Sequence, residues 1–333
     1  MDGDVLYKPS GTGLRAIRGY AAKIGRLADL TPPQDSTPFE EHGARAILWT
    51  RPILPPEEGM PYLHGYDKRA SYLHASDIVL GVGDWEHIAM EDALESYTFK
   101  DAGVWRLEFH GGHSDKDIAL SRCSVYEAHA KGKMISRFLE GWFYSPMVRA
   151  LKTLGYNFHV KEGYFFPEGK AILKHWREKM LEGLAISHAV EMNGNPFLRR
   201  MIKATYTRAI GLMGSQTFSH DTLYRPDWRS MIIDEASARI LFNVDKIGRL
   251  SLETGQPLAE PLAVYDDCLY YPSFSPDPYA ATPILTAGGN LSAKFVYKGS
   301  YDLTAPGCRE LFGAAPSKFI RSIEKFRIGG AHE

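Results

Sequence analysis

The stretch AVYDDCLYY, residues 263–271, sets two adjacent aspartates inside a run of β-branched and aromatic residues. Such flanks favour a strand, yet Asp266 and Asp267 disfavour each other's ionised form unless something neutralises them. Both demands are met at a strand end or a tight hairpin, where the two acids reach a common point. A divalent cation is the natural neutraliser, and oxygen ligands suit magnesium, usually held by one or two carboxylates together with substrate phosphates. A third acid comes from a separate strand-like segment, HGYDKRASYL at 64–73, where Asp67 stands at the edge of apolar residues. Carboxylates gathered in this way are the protein half of two-metal phosphoryl transfer.

The remainder of the chain is ordinary globular material. Its 333 residues are 44% hydrophobic and 24% charged, enough for one large or two modest domains. A net charge of -1 argues against a surface that is basic throughout. Residues 145–211 nonetheless hold eleven Lys and Arg against five Asp and Glu. No apolar run is long enough to cross a membrane, and the first residues lack a signal-peptide pattern, so a soluble, cytoplasmic protein is expected. Cys123, Cys268 and Cys308 are too scattered for a disulfide framework or a metal knuckle.

Read along its length, the chain predicts an α+β fold with an antiparallel sheet, helices and a two-helix insertion. Residues 1–60, punctuated by TPPQDSTP and RPILPPEEGMP, read as an irregular lead-in, and KPSGTG lacks the ending of a phosphate loop and reads as a turn. PYLHGYDKRASYLHA reads as a strand entering a turn or short helix, and GVWRLEF at 103–109 as a paired strand. YSPMVRALKTLGY spaces Met147, Ala150, Leu151 and Leu154 on one helical face, and a strand follows. GKAILKHWREKMLEGLAIS and FLRRMIKATYTRAIGLM are two basic helices joined by NGNP, the second predicted to bury Phe197, Met201, Ala204 and Ile210. DWRSMIIDEASARILFNV is a further helix, with Asp227 as its cap and Ile232, Ala236 and Ile240 inward. Strands at 261–271 and 293–298 and a short helix near the end complete the pattern. His110 and His113 in HGGH, near Asp115 and Asp117, read as turn residues, and Trp105, Trp176 and Tyr206 as core.

These residues, taken in order, resemble the palm and fingers of family-B DNA polymerases. HGYDKRASYLHA resembles the first catalytic motif, which implies Asp67 as metal ligand and Tyr72 as the ring under the sugar of the incoming nucleotide, crowding a 2′-hydroxyl. IKATYTRAIG at 202–211 resembles the finger-helix motif: Lys203 then faces the triphosphate, Thr207 stands where the family usually has asparagine, Ile210 where it has tyrosine, and Gly211 keeps its place. VYDDCLYY resembles the third motif, with Asp267 on the essential second aspartate, Tyr265 on the first and Asp266 between them. The adjacent acids of reverse transcriptases show that such a pair is chemically workable.

The resemblance, covering roughly residues 60–300, implies a DNA polymerase that adds deoxynucleotides to a primer 3′-hydroxyl with two magnesium ions, for which manganese substitutes. Its partners are template–primer DNA, deoxynucleotides and, as in compact family members, a priming protein or further domains. Residues 61–160 and 214–300 would form the palm, 161–213 the fingers, and 301–333 a reduced thumb. Arg199, Arg200, Lys174 and Arg177 are candidate phosphate partners along the finger helices, and Lys294 and Lys298 candidate contacts to the primer backbone. No editing domain is expected before the palm, so no proofreading is expected, and a reduced or absent thumb implies low processivity. The rivals are a palm-like module that grips DNA or a priming protein without turnover, and a metal-dependent nuclease.

Overall fold

In the computed structural model, residues 9–89, 99–110, 138–189, 195–253, 261–281, 295–312 and 316–329 are described. Lys294, His113, Asp115, Asp117 and Cys123 lie outside them. The strands are Leu48–Thr50 (β1), Tyr62–Lys68 (β2), Leu80–Val82 (β3), Glu86–Ala89 (β4), Gly103–His110 (β5), Phe138–Tyr144 (β6), Phe158–Phe165 (β7), Glu168–Lys170 (β8), Ala263–Tyr265 (β9), Cys268–Ser273 (β10), Phe295–Asp302 (β11) and Arg327–Ile328 (β12). The helices are Pro9–Lys23 (α1), Thr37–Glu41 (α2), Ser71–Ala75 (α3), Ser145–Thr153 (α4), Lys174–Ala189 (α5), Pro196–Leu212 (α6), Pro226–Glu253 (α7), Pro278–Ala281 (α8) and Pro316–Ser322 (α9).

Alternation of side chains on aromatic-rich strands builds, among the described residues, two main antiparallel sheets beside a two-stranded β3–β8 pair. The larger has the order β1-β9-β10-β2-β11-β12, and a second runs β4-β7-β5-β6. Each face of the larger sheet has its own core. Tyr66, Val264, Leu269 and Tyr271 pack with Trp105 and Leu107 of the second sheet and with Val148 and Leu151 of α4. Leu63, Cys268, Tyr270 and Tyr301 pack on the opposite side with Leu311, Phe319 and Ile323. A third core joins α1, α6 and the first half of α7. The fold is thus mixed α+β, with antiparallel sheets and helical insertions, as the periodicities predict.

Three local expectations change. The stretch PSGTG opens α1, a 15-residue helix, where a turn in an irregular lead-in is expected. Its Leu14, Ile17 and Ala21 are buried at helical spacing, and Gly13 lets it approach α6 so closely that a Cβ there would come within 2.7 Å of Ala209 Cβ. Tertiary packing outweighs the turn propensity of Gly, Ser and Pro. On α6 the phase of the buried stripe differs from the prediction. Phe197 is 65% exposed, while Thr205, Tyr206, Ala209 and Ile210 face inward because α1 lies on that side. Asp227 does sit in the first turn of α7, but both its oxygens accept from the fully buried Arg225, at 2.9 and 2.6 Å. Arg225 also donates to Gly81 O at 2.6 Å and lies over the Trp228 ring, so it ties β3 to the start of α7.

Ile232, Ala236 and Ile240 are buried as predicted. Between them Asp234 is also buried and accepts the Tyr144 N–H at 2.8 Å. Burial pushes its carboxyl up from 3.8 to about 7, partly opposed by the Tyr144 hydrogen bond. Since the folded value lies above the unfolded one, this group favours the folded state most below about pH 4, and that contribution is lost as pH rises toward 7. Asp234→Asn keeps the acceptor and removes the charge. Relative to the parent, its stability in urea should therefore rise between pH 4.5 and 7.5, by on the order of 4 kcal/mol at the upper end. A difference that stays constant with pH would show that the Asp234 carboxyl ionises in the folded state as it does in the unfolded one.

Candidate active site

The β2–β10 pairing decides where the acids meet. Its register sets Asp67 opposite Cys268, Tyr66 opposite Leu269 and Gly65 opposite Tyr270. Tyr265 pairs with Cys268 across the β9–β10 hairpin, so Asp266 and Asp267 are its two-residue tip. Two backbone hydrogen bonds hold that tip: the Lys68 N–H at the end of β2 donates to Asp267 O, and the Asp266 N–H donates to Ile47 O just before β1, each at 2.8 Å. Asp266 adopts φ 53°, a left-handed conformation that aspartate tolerates better than most residues.

Asp67 and Asp267 are thereby brought into hydrogen-bond contact. Burial, with the nearby charges of Asp67 and Asp266, pushes the Asp267 carboxyl up to about 7. Asp266 is engaged differently, since the Tyr72 hydroxyl donates to its Oδ1 at 2.7 Å. Burial and the Asp266 charge hold the Tyr72 phenol well above its usual range. Among the described residues, no group of three or more His, Cys, Asp or Glu side chains is gathered to hold a metal ion. Of the three acids expected to gather, Asp67 and Asp267 meet each other while Asp266 meets Tyr72. A pair of half-buried carboxylates in contact is still a fitting oxygen donor set for magnesium, which needs no more than one or two from the protein.

Asp67 lines a cleft of 490 Å³ together with Arg69 and Val296 on the sheet side and Arg199, Arg200, Lys203 and Tyr206 on the helical side. Arg199, Lys203 and Tyr206 recur at helical spacing on α6, so one stripe of that helix faces the acid. Arg69 and Tyr206 are additions to the residues singled out from sequence. Tyr206 is buried, as expected of a core residue, yet its phenol is pushed up to about 12 by burial and by the charges of Asp267 and Asp67. Its place three residues after Lys203 is the signal that would have found it. For Arg69 the signal was its position beside the strand end.

Lys298 lies on β11 where the register with β2 shifts between Tyr297 and Gly299, a bulge that re-aims a side chain. Desolvation opposes its charge, but Cys268, Asp67, Asp267 and Glu324 outweigh that and raise its pKa. Thr207 and Gly211 are exposed on α6 outside the cleft lining, and nothing lies within 4 Å of a Cβ built on Gly211. Lys174 and Arg177 on α5 are also away from the lining, and Arg177 is ion-paired with Asp77 at 3.3 Å.

No family model matches the sequence, and no curated protein matches it. Solved structures do. One is phi29 DNA polymerase in an orthorhombic crystal form, at TM-score 0.51 and 10% identity over 89% of this chain and 53% of that one. Another is the same polymerase complexed with primer-template DNA and incoming nucleotide substrates, at 0.52 and 12%, over 87% and 53%. A third is its complex with single-stranded DNA, at 0.53 and 9%, over 89% and 52%. The fold resembles that of a phi29-like family-B DNA polymerase. The chain spans about half the length of the polymerase structures it matches. Among the described residues no helix is long and apolar enough to cross a membrane.

Four cations around one carboxylate give the cleft the charge to attract a polyphosphate. Inorganic tripolyphosphate should bind there, and Arg69→Ala or Lys203→Ala should weaken it by about tenfold each, with a loss that shrinks as salt rises. Isothermal titration calorimetry reads both. Equal affinity in the parent and the double variant would place polyphosphate binding elsewhere.

Proposed function

We propose that the chain is a nucleotidyltransferase that extends a DNA primer. The primer 3′-hydroxyl attacks the α-phosphorus of a deoxynucleoside triphosphate, the new phosphodiester bond forms, and pyrophosphate leaves. The observation that carries this reading is the contact of Asp67 with Asp267 beside a cleft whose far wall is the basic stripe of α6. A polymerase-like fold supports it, as do the primer-template and nucleotide complexes of the structures it resembles.

Asp67 and Asp267 would hold magnesium, which when bound supplies neutralisation of the carboxylates and polarisation of the phosphate oxygens. Lys203, Arg199, Arg200 and Arg69 offset the charge of the triphosphate in the cleft. Lys298, on β11 among the charges of Asp67 and Asp267, would meet a primer phosphate. Tyr72 stands next to the acids, where the sugar of the incoming nucleotide would rest. Tyr206 and Leu184 wall the cleft, limiting water around the phosphates. In this reading residues 61–160 and 214–300 are palm and 161–213 fingers.

Primer extension with magnesium and four deoxynucleotides tests the proposal. Asp67→Asn and Asp267→Asn should each remove extension by orders of magnitude while circular dichroism and the unfolding midpoint stay near those of the parent. Near-normal extension by either variant would sink the assignment. A parent that binds primer–template yet adds no nucleotide would instead establish a binding module without turnover.

A further inference from the structure

The two aspartates of the hairpin tip are adjacent in sequence but face different partners. Asp267 meets Asp67. Asp266, with its N–H fixed on Ile47 O at 2.8 Å, directs Oδ1 to the Tyr72 hydroxyl at 2.7 Å, a bond that joins positions 194 residues apart. Tyr72 is half-buried on α3, packed against the core of α1, α6 and α7. Its ring is therefore restrained at the Cα end by helix packing and at the far end by a hydrogen bond to a carboxylate, stronger than one to a neutral acceptor.

We propose that Asp266 is a positioning residue for Tyr72, and that this acid serves selection of the nucleotide's sugar instead of metal binding. The inference rests on the proposed function. A ring discriminates against a 2′-hydroxyl only if it does not retreat when pushed. A tyrosine held at Cα alone swings about χ1 and χ2, whereas one tied by its hydroxyl to the hairpin that carries Asp267 keeps a fixed distance from the acids. Asp266 takes a left-handed φ of 53° at the hairpin tip, and from there its side chain reaches the Tyr72 hydroxyl. The two possible roles of Asp266 have different chemical requirements. A metal ligand needs its negative charge, while a latch needs only an oxygen that accepts a hydrogen bond.

The test compares single deoxynucleotide and ribonucleotide additions by the parent, Asp266→Asn, Asp266→Ala, Tyr72→Phe and the Asp266→Ala/Tyr72→Phe pair, with thermal unfolding of each. Asp266→Ala and Tyr72→Phe should each raise ribonucleotide relative to deoxynucleotide use by about fivefold to tenfold, mainly through KM for the ribonucleotide. The pair should go no further than either alone, in the ratio and in unfolding. Asp266→Asn should keep the parental ratio. If Asn and Ala lower addition of both sugars alike with the ratio unchanged, Asp266 is a metal ligand and the inference is overturned. Additive losses in unfolding overturn the latch itself. A parent that adds neither sugar defeats the proposed function and the sugar role together, whereas a parent that extends primers with a ratio indifferent to Tyr72→Phe defeats only the inference.

Discussion

The register of β2 against β10 is the constraint on which the rest of the site depends. Side chains alternate along a strand, so a slip of one residue would carry Asp67 to the face where Tyr66, Leu269 and Tyr271 pack and bring Tyr66 to the cleft. Two cores prevent that slip. Leu63, Cys268 and Tyr270 belong to one, and Tyr66, Leu269 and Tyr271 to the other. Gly65 contributes through what it lacks, since a Cβ there would come 3.1 Å from the Tyr270 ring. A strand locked on both faces can carry a carboxylate at its end and hold it in place to within the tolerance that phosphoryl transfer requires.

Holding acids together destabilises the fold locally. Burial first, and then the charges of Asp67 and Asp266, push the Asp267 carboxyl up to about 7. Asp266 adds a left-handed backbone, for which a non-glycine residue sacrifices about 1–2 kcal/mol. Both costs fall on the same hairpin tip, where backbone bonds from Lys68 and to Ile47 and the Tyr72 hydroxyl offset them. Strain concentrated at one tip and compensated by its immediate neighbours is the arrangement expected where geometry serves chemistry.

Much of this was legible in the sequence, and the residues show why some was not. Strands at Tyr62–Lys68 and Cys268–Ser273 follow from alternation of aromatic and β-branched residues, and α7 from the spacing of Ile232, Ala236 and Ile240. The hairpin follows from two acids that neither strand interior could bury. Helix α1 was hidden because its first residues carry turn propensity, and its burial depends on a partner helix nearly two hundred residues away. Phe197 was misplaced for the same reason, since period alone gives a stripe but not the direction from which another element covers it. Arg69 and Tyr206 join the cleft through tertiary placement. The Tyr72–Asp266 bond belongs to the same class, because periodicity within a segment says nothing about which hydroxyl meets which carboxylate across the sheet.

The width of the cleft is decided away from the cleft. Its basic wall is the outer stripe of α6, whose inner side, Thr205, Tyr206, Ala209 and Ile210, is seated on α1 through the close approach at Gly13. Its floor is the larger sheet. Between them runs α7, whose 28 residues extend about 42 Å. Trp228, Met231, Ile232 and Ala236 of this helix pack in the core beneath α6, while Ile240, Leu241, Val244 and Ile247 pack beneath the sheet. One helix packed into two cores fixes how far Lys203 stands from Asp67, and a shift of α1 against α6 would change that separation without touching a single cleft residue. Residues 9–23 resemble no motif, yet they belong to the physical basis of the site as fully as the acids do.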